Sequence, residues 1–205
     1  MPVFASRFLV VLLVFTLYAC SDSVPGLPRL SDDAVVLAFG DSITYGTGAT
    51  REQSYPAVLS RLLRRKVVNA GIPGEISADG LRRLPKFLDQ YQPQLLILCH
   101  GGNDMLRKLD REKLLSHLRE MIRIARSRDI AVVLVAVPEP GLLLESAAFY
   151  PELAREFEIP IEDDSLSDIL ADRSLKSDAI HPNAAGYQQF AQSLFELLQK
   201  NGAIE

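Results

Sequence analysis

The sequence predicts an α/β protein in which a parallel sheet of about five strands carries helices on both faces. Three observations predict it. Apolar runs of strand length recur along the chain, amphipathic stretches at helical spacing stand between them, and the links joining the two are short. With 205 residues, 48% of them hydrophobic and 23% charged, the chain supplies one domain with a substantial core.

The first strand is expected at Ala34–Phe39, an apolar run suited to a parallel strand buried on both faces. It stops at Gly40-Asp41-Ser42. Tyr55–Arg65 reads as a helix, with Val58, Leu59, Leu62 and Leu63 on one face. A second strand, Val67–Asn69, runs into the turn Ala70-Gly71-Ile72-Pro73-Gly74. Ala78–Gln90 carries Leu81, Leu84 and Leu88 at helical spacing. Leu95–Cys99 is the third strand and meets His100-Gly101-Gly102-Asn103-Asp104. The helix Arg111–Ser127 leads to a fourth strand at Ile130–Val137, and Phe157–Ile161 is the candidate fifth. The last helix, Asn183–Asn201, stops before Gly202. Strands joined by helices of this length form right-handed crossovers. The expected architecture is a three-layer α/β/α sandwich of flavodoxin-like type, with functional loops following the strand ends.

The N-terminus reads differently from the rest. Arg7 precedes Phe8–Ala19, twelve apolar or near-apolar residues, too few to span a bilayer, which takes about 20. The stretch suits an export signal. Its end, Leu17-Tyr18-Ala19-Cys20, resembles the lipobox of bacterial lipoproteins, in which the cysteine following the cut carries lipid. Tyr18 departs from the small residue usual there. The expected division is a signal peptide over 1–19, a tether over 20–32 rich in Pro, Gly and Ser, and a domain over 33–205. The implied location is the bacterial cell envelope, with the protein held at a membrane by lipid on Cys20. An ordinary cleaved signal, giving a soluble periplasmic or secreted protein, is the alternative. Cys99, the one other cysteine, ends an apolar strand and reads as a buried thiol. The net charge of −4, with Arg64-Arg65-Lys66 the one basic run, gives no reason to expect nucleic acid as a partner.

The chemistry gathers at the loops. A serine at the end of the first strand lies where such sheets place their sites. As a nucleophile it needs a base, a group to orient the base, and donors for an oxyanion. Three histidines are available. His117 falls within an amphipathic helix beside Arg119 and Glu120 and reads as a solvated residue. His100 stands at a strand end. His181 lies in Ser177-Asp178-Ala179-Ile180-His181-Pro182-Asn183, and a carboxylate three residues ahead can reach one imidazole nitrogen and leave the other for a serine. The Gly71 N–H and the Asn103 amide are candidate oxyanion donors. Asp104 is able to cap the following helix.

Gly40-Asp41-Ser42, Asn69-Ala70-Gly71, Gly101-Gly102-Asn103-Asp104 and Asp178-Ala179-Ile180-His181, in that order, resemble the four blocks of the SGNH hydrolases, also known as GDSL esterases and lipases. The resemblance spans about Val35 to Leu198. It implies Ser42 as nucleophile and as oxyanion donor through its own N–H, Gly71 and Asn103 as the other donors, His181 as base and Asp178 as its orienting partner. Phe149–Phe157, Ile159-Pro160 and Ile180–Asn183 are similar to the bacterial thioesterase I, lysophospholipase L1 and arylesterase group. His100 departs from the non-ionisable residue usual at its place.

The implied reaction is hydrolysis of a carboxylic ester or thioester through an acyl-enzyme, with no metal or organic cofactor and with the protein working as a monomer. Expected substrates are small acyl esters, aryl esters or lysophospholipids. Met105 and Leu106, and Leu142 and Leu143 in the stretch Pro138–Leu144, are candidate walls of an acyl pocket. A carbohydrate or peptidoglycan deacetylase on the same fold and a non-catalytic binding lipoprotein are the alternatives. No G-x-S-x-G surrounds Ser42, and the glycines of 40–48 lack the phosphate-loop lysine.

Overall fold

A computed structural model of the chain describes residues 26–139, 141 and 146–205. Five parallel strands form one sheet in the order β2-β1-β3-β4-β5. They are β1 (Val35–Gly40), β2 (Lys66–Gly71), β3 (Leu95–Cys99), β4 (Ala131–Val135) and β5 (Ile161–Glu162). The central strands are almost wholly apolar because both of their faces are covered. Every residue of β3 is buried, as is β1 from Val36 onward.

The helices are α1 (Ser42–Tyr45), α2 (Tyr55–Leu63), α3 (Ser77–Tyr91), α4 (Gly102–Leu106), α5 (Arg111–Arg126), α6 (Phe149–Phe157), α7 (Ser165–Ala171) and α8 (Ala184–Lys200). α2 packs on α8, and α3 on α5. Tyr55 and Phe190 join the first pair edge to face, with ring centres 4.7 Å apart. Among the described residues no helix is long and apolar enough to cross a membrane.

The strand order carries the chain from β1 outward to β2 and then back past β1 to β3. Sheets of this order open a crevice at the carboxyl ends of the two strands where the direction reverses, here β1 and β3. Register sharpens the point. Gly40 stands opposite Gly71 on one side and Cys99 on the other, so three strands finish at one level. A Cβ on Gly40 would lie 2.0 Å from the Cys99 carbonyl oxygen and 2.5 Å from Thr44 Oγ1. Glycine is required there because α1 folds straight back over the strand ends.

Two expectations are corrected. Phe157–Ile161 is not a strand. Phe157 ends α6, whose buried residues Phe149, Tyr150, Leu153 and Ala154 recur at helical spacing, and β5 begins only at Ile161. The stretch 27–32 is not a free tether. The Leu27 and Leu30 N–H groups donate to the Asn201 and Ala203 carbonyls, and Leu30 is buried in the core. Cys20 and residues 1–25 lie outside the described residues.

Gly40→Ala is expected to cost about 3 kcal/mol, the upper end for overpacking, because backbone blocks the new methyl. Urea denaturation measures it, and a loss below about 0.5 kcal/mol, the range of neutral surface changes, would contradict the close approach.

Candidate active site

Ser42 opens α1 directly after β1. Asp41 caps that helix, its Oδ1 accepting the Ile43 N–H at 3.2 Å. Opposite it stands the loop that begins α8. Asp178 accepts the Ile180 and His181 N–H groups on Oδ1, at 2.8 and 2.9 Å, and so folds the loop into a tight turn. Its Oδ2 lies 2.8 Å from His181 Nδ1. An ionised carboxylate only accepts, so the ring proton sits on Nδ1. Nε2 is left as acceptor for the Ser42 hydroxyl, 2.9 Å away. The three residues therefore form one continuous relay, with the serine proton pointing at a base that is oriented from behind.

The relay is held from outside as well. The Ser177 N–H donates to the His181 carbonyl at 2.9 Å, and Asn183 caps α8 through the Ala185 and Gly186 N–H groups. The Tyr187 hydroxyl, on α8, donates to the Thr47 carbonyl at 2.8 Å, tying this helix to the loop after the serine. Burial works against charge on Asp178, but the hydrogen bonds from Ile180 and His181 outweigh it and hold its carboxyl below the usual range.

Asn103 lies in α4, at the end of β3. Its Nδ2 donates to Asp41 Oδ2 at 3.1 Å, which uses one of its two amide hydrogens. Asp41 is buried, and desolvation raises its pKa despite the neighbouring imidazoles and the Ile43 and Asn103 donors. Among the described residues the Ser42 N–H makes no hydrogen bond.

Gly71 does not meet its expectation. Its N–H donates to the Asn69 side-chain oxygen at 3.0 Å, and its Cα face packs on Tyr45. In the turn that follows, the Gly74 N–H makes no hydrogen bond among the described residues. Asp104 does not cap the helix that follows, a role taken by Asp110; it lies within α4, and both of its oxygens accept from Ser77. His117 is not simply solvated either, since its Nδ1 lies 2.9 Å from Ser77 Oγ.

A cleft opens beside Ser42, Asn103 and His181, and Ile43, Leu106, Leu170 and Ile180 wall it. Leu106 is 43% exposed at its rim. Met105 lines a second, adjoining cavity with Leu109, Leu114 and Phe149. Leu142 and Leu143 lie outside the described residues. Sequence reading missed the role of Asp41; an aspartate immediately before a helix that starts at a strand end is the signal that could have revealed it as a cap.

A sheet with its switch point at β1 and β3, carrying a serine, an oriented histidine and a carboxylate in line, defines an ester-hydrolysing serine enzyme on an α/β/α sandwich. The chain belongs to the GDSL-like Lipase/Acylhydrolase family, whose model matches residues 38–189. It is similar to thioesterase 1/protease 1/lysophospholipase L1 of Escherichia coli (strain K12), at 31% identity over 80% of this chain and 83% of that protein. An arylesterase of Vibrio mimicus is 27% identical over 95% of this chain and 98% of its own length. Among solved structures, AlinE4, an SGNH-hydrolase family esterase, superposes with a TM-score of 0.65 at 30% identity, over 84% of this chain and 98% of that one.

Asp178 has its pKa lowered on folding, so the stability it contributes is present above its unfolded value, ~3.9, and is lost as pH falls through the lower folded value. The stability difference between the wild type and Asp178→Asn is expected to be constant near neutrality and to shrink below about pH 4. Urea melts across pH 3–7 test this; a difference that grows on acidification would reverse the sign.

Proposed function

We propose that this protein hydrolyses small acyl esters through an acyl-enzyme on Ser42. The observation that carries the reading is the unbroken Ser42–His181–Asp178 relay, with contacts of 2.9 and 2.8 Å. Ser42 Oγ adds to the ester carbonyl while its proton passes to His181 Nε2. The carbonyl π electrons move to oxygen, and the Ser42 N–H and the second Asn103 amide hydrogen receive that charge. A third donor comes from the turn after β2, and the Gly74 N–H, uncommitted in that turn, suits the role better than that of Gly71. His181 returns the proton to the leaving alcohol or thiol as the C–O or C–S bond breaks. Water, deprotonated by the same nitrogen, then releases the acid and regenerates Ser42.

The walls of the cleft favour an acyl substrate. Ile43, Leu106, Leu170 and Ile180 offer apolar surface, and among the described residues no phenylalanine, tyrosine or tryptophan lines the cleft as a platform for a sugar. Short- to medium-chain esters, aryl esters and lysophospholipids fit this description better than an acetylated glycan. A purely binding role would leave the oriented imidazole and the serine facing it without purpose.

Ser42→Ala is expected to abolish turnover of p-nitrophenyl esters and labelling by a fluorophosphonate while the protein stays folded. Turnover retained by that variant would exclude the mechanism. Asn103→Ala should raise the barrier by ~3 kcal/mol, chiefly in kcat. A chain-length series run beside lysophosphatidylcholine and an acetylated glycan ranks the substrates, and preference for the glycan would favour deacetylation.

We further propose export and lipidation at Cys20. Expressed in a Gram-negative host, the wild-type chain should incorporate labelled palmitate and sediment with membranes, and Cys20→Ser should do neither. An unlabelled wild type would leave an ordinary cleaved signal as the reading.

A further inference from the structure

Asn103 must stand at a set place to receive an oxyanion, yet two glycines precede it. We infer that His100, braced by Glu75, is a positioning residue for Asn103. The inference rests on the reading of Asn103 as an oxyanion donor.

His100 is wholly buried, at 0% exposure. Its Nδ1 accepts the Gly101 N–H at 3.1 Å, so the ring proton is on Nε2, which donates to Glu75 Oε2 at 3.1 Å. One imidazole thus ties the backbone two residues ahead of Asn103 to the turn between β2 and α3. The brace is itself anchored. Arg83 donates from Nε and Nη2 to the two oxygens of Glu75, each at 2.6 Å, and the second Nη2 hydrogen is shared between the Ala70 and Gly40 carbonyls, at 2.8 and 3.1 Å. Its guanidinium lies 3.9 Å from the centre of the Phe39 ring. Burial alone would raise the Glu75 pKa, but the bonds from His100 and Arg83 outweigh it and keep the carboxyl below its usual range. Helix α3 makes the room: a Cβ on Gly80 would come within 2.4 Å of His100 Nε2.

The same turn grips the other flank of Asn103. The Ser77 hydroxyl and N–H donate to the two oxygens of Asp104, at 2.6 and 2.8 Å. Since Ser77 gives its single hydroxyl proton to Asp104, His117 donates to it from Nδ1. The start of α4, residues 101–104, is therefore clamped from both sides by residues two apart in sequence, Glu75 and Ser77. An apolar residue at position 100 would fill the space but leave the Gly101 N–H without its acceptor inside the protein. Relaxation of that group shifts Asn103, and misplacement by about 1 Å can cost of the order of a hundredfold in rate.

A double-mutant cycle on a p-nitrophenyl ester tests the inference. His100→Leu should lower kcat about tenfold with KM within about twofold. His100→Gln, which can return a donor to Glu75 and an acceptor near Gly101, should recover all but about threefold. In the Asn103→Ala background, His100→Leu should change kcat by less than about twofold, because the group it positions is gone. Equal losses in both backgrounds, or an unchanged kcat in the single variant, would overturn the positioning role. If His100→Leu does not fold, Glu75→Gln takes its place in the cycle, with the same coupling expected and the same additivity excluding it. Should Asn103→Ala itself leave kcat intact while Ser42→Ala abolishes turnover, the assignment of Asn103 fails. A loss with Asn103→Ala combined with additivity fails the inference alone.

Discussion

Everything at this site depends on three parallel strands ending level. Gly40 pairs with Gly71 and with Cys99 in a single register, so the loops after β1, β2 and β3 leave the sheet side by side. The first delivers Ser42, the second Glu75 and Ser77, and the third Asn103. A slip of one residue in a parallel ladder would turn every side chain of the slipped strand to the opposite face and put the three strand ends out of level. The core and the chemistry are thus specified by the same hydrogen bonds. α1 can fold back on the strand ends only because Gly40 and Gly71 present no side chain to it.

Two aspartates near Ser42 show how environment divides labour. Asp178 is half-exposed, receives two backbone N–H groups and the imidazole, and has its pKa lowered. It is built to remain charged, as the proposed proton transfer to His181 requires. Asp41 sits in the dry joint between α1 and α4, and desolvation moves its pKa the other way. Its work is architectural: it caps the serine helix and takes one hydrogen of Asn103, tying α1 and α4 to a single carboxyl. Charge is placed where water and donors can sustain it, and shape is maintained where they cannot.

The sheet and the relay were legible in the sequence because their determinants are local. Leu95–Cys99 is apolar throughout, and three residues between Asp178 and His181 suffice to close a turn. Other parts were not. The end of β2 carries Asn69-Ala70-Gly71, and its pattern does not reveal that the Asn69 side chain bends forward to occupy the Gly71 N–H. α6 is obscured because its last residue, Phe157, also opens the run Phe157–Ile161, which reads as a strand. His117 looked solvated on its own helix; its partner Ser77 is forty residues away. Contacts closed by distant side chains leave no period in the sequence to detect.

The fold also constrains how the proposed lipid anchor relates to substrate. The described chain enters at Leu27, pinned to Asn201 at the C-terminal end of α8, whereas His181 precedes the other end of that helix. Seventeen residues of helix span about 26 Å, so Leu27 and His181 stand toward opposite ends of α8. Residues 20–26, fully extended, reach at most about 25 Å. A domain standing upright on such a tether would hold Ser42 away from the membrane that carries Cys20. The cleft would meet that bilayer only if the domain lay on its side or turned over at the full stretch of the tether. With Cys20 lipidated as proposed, this arrangement would favour substrates that arrive from the aqueous side: a diffusible acyl ester, or a lysophospholipid that has already left the bilayer. Under that proposal the exposed Leu106 and Ile180 at the rim of the cleft would receive a single acyl chain out of water, not dip the enzyme into a lipid surface.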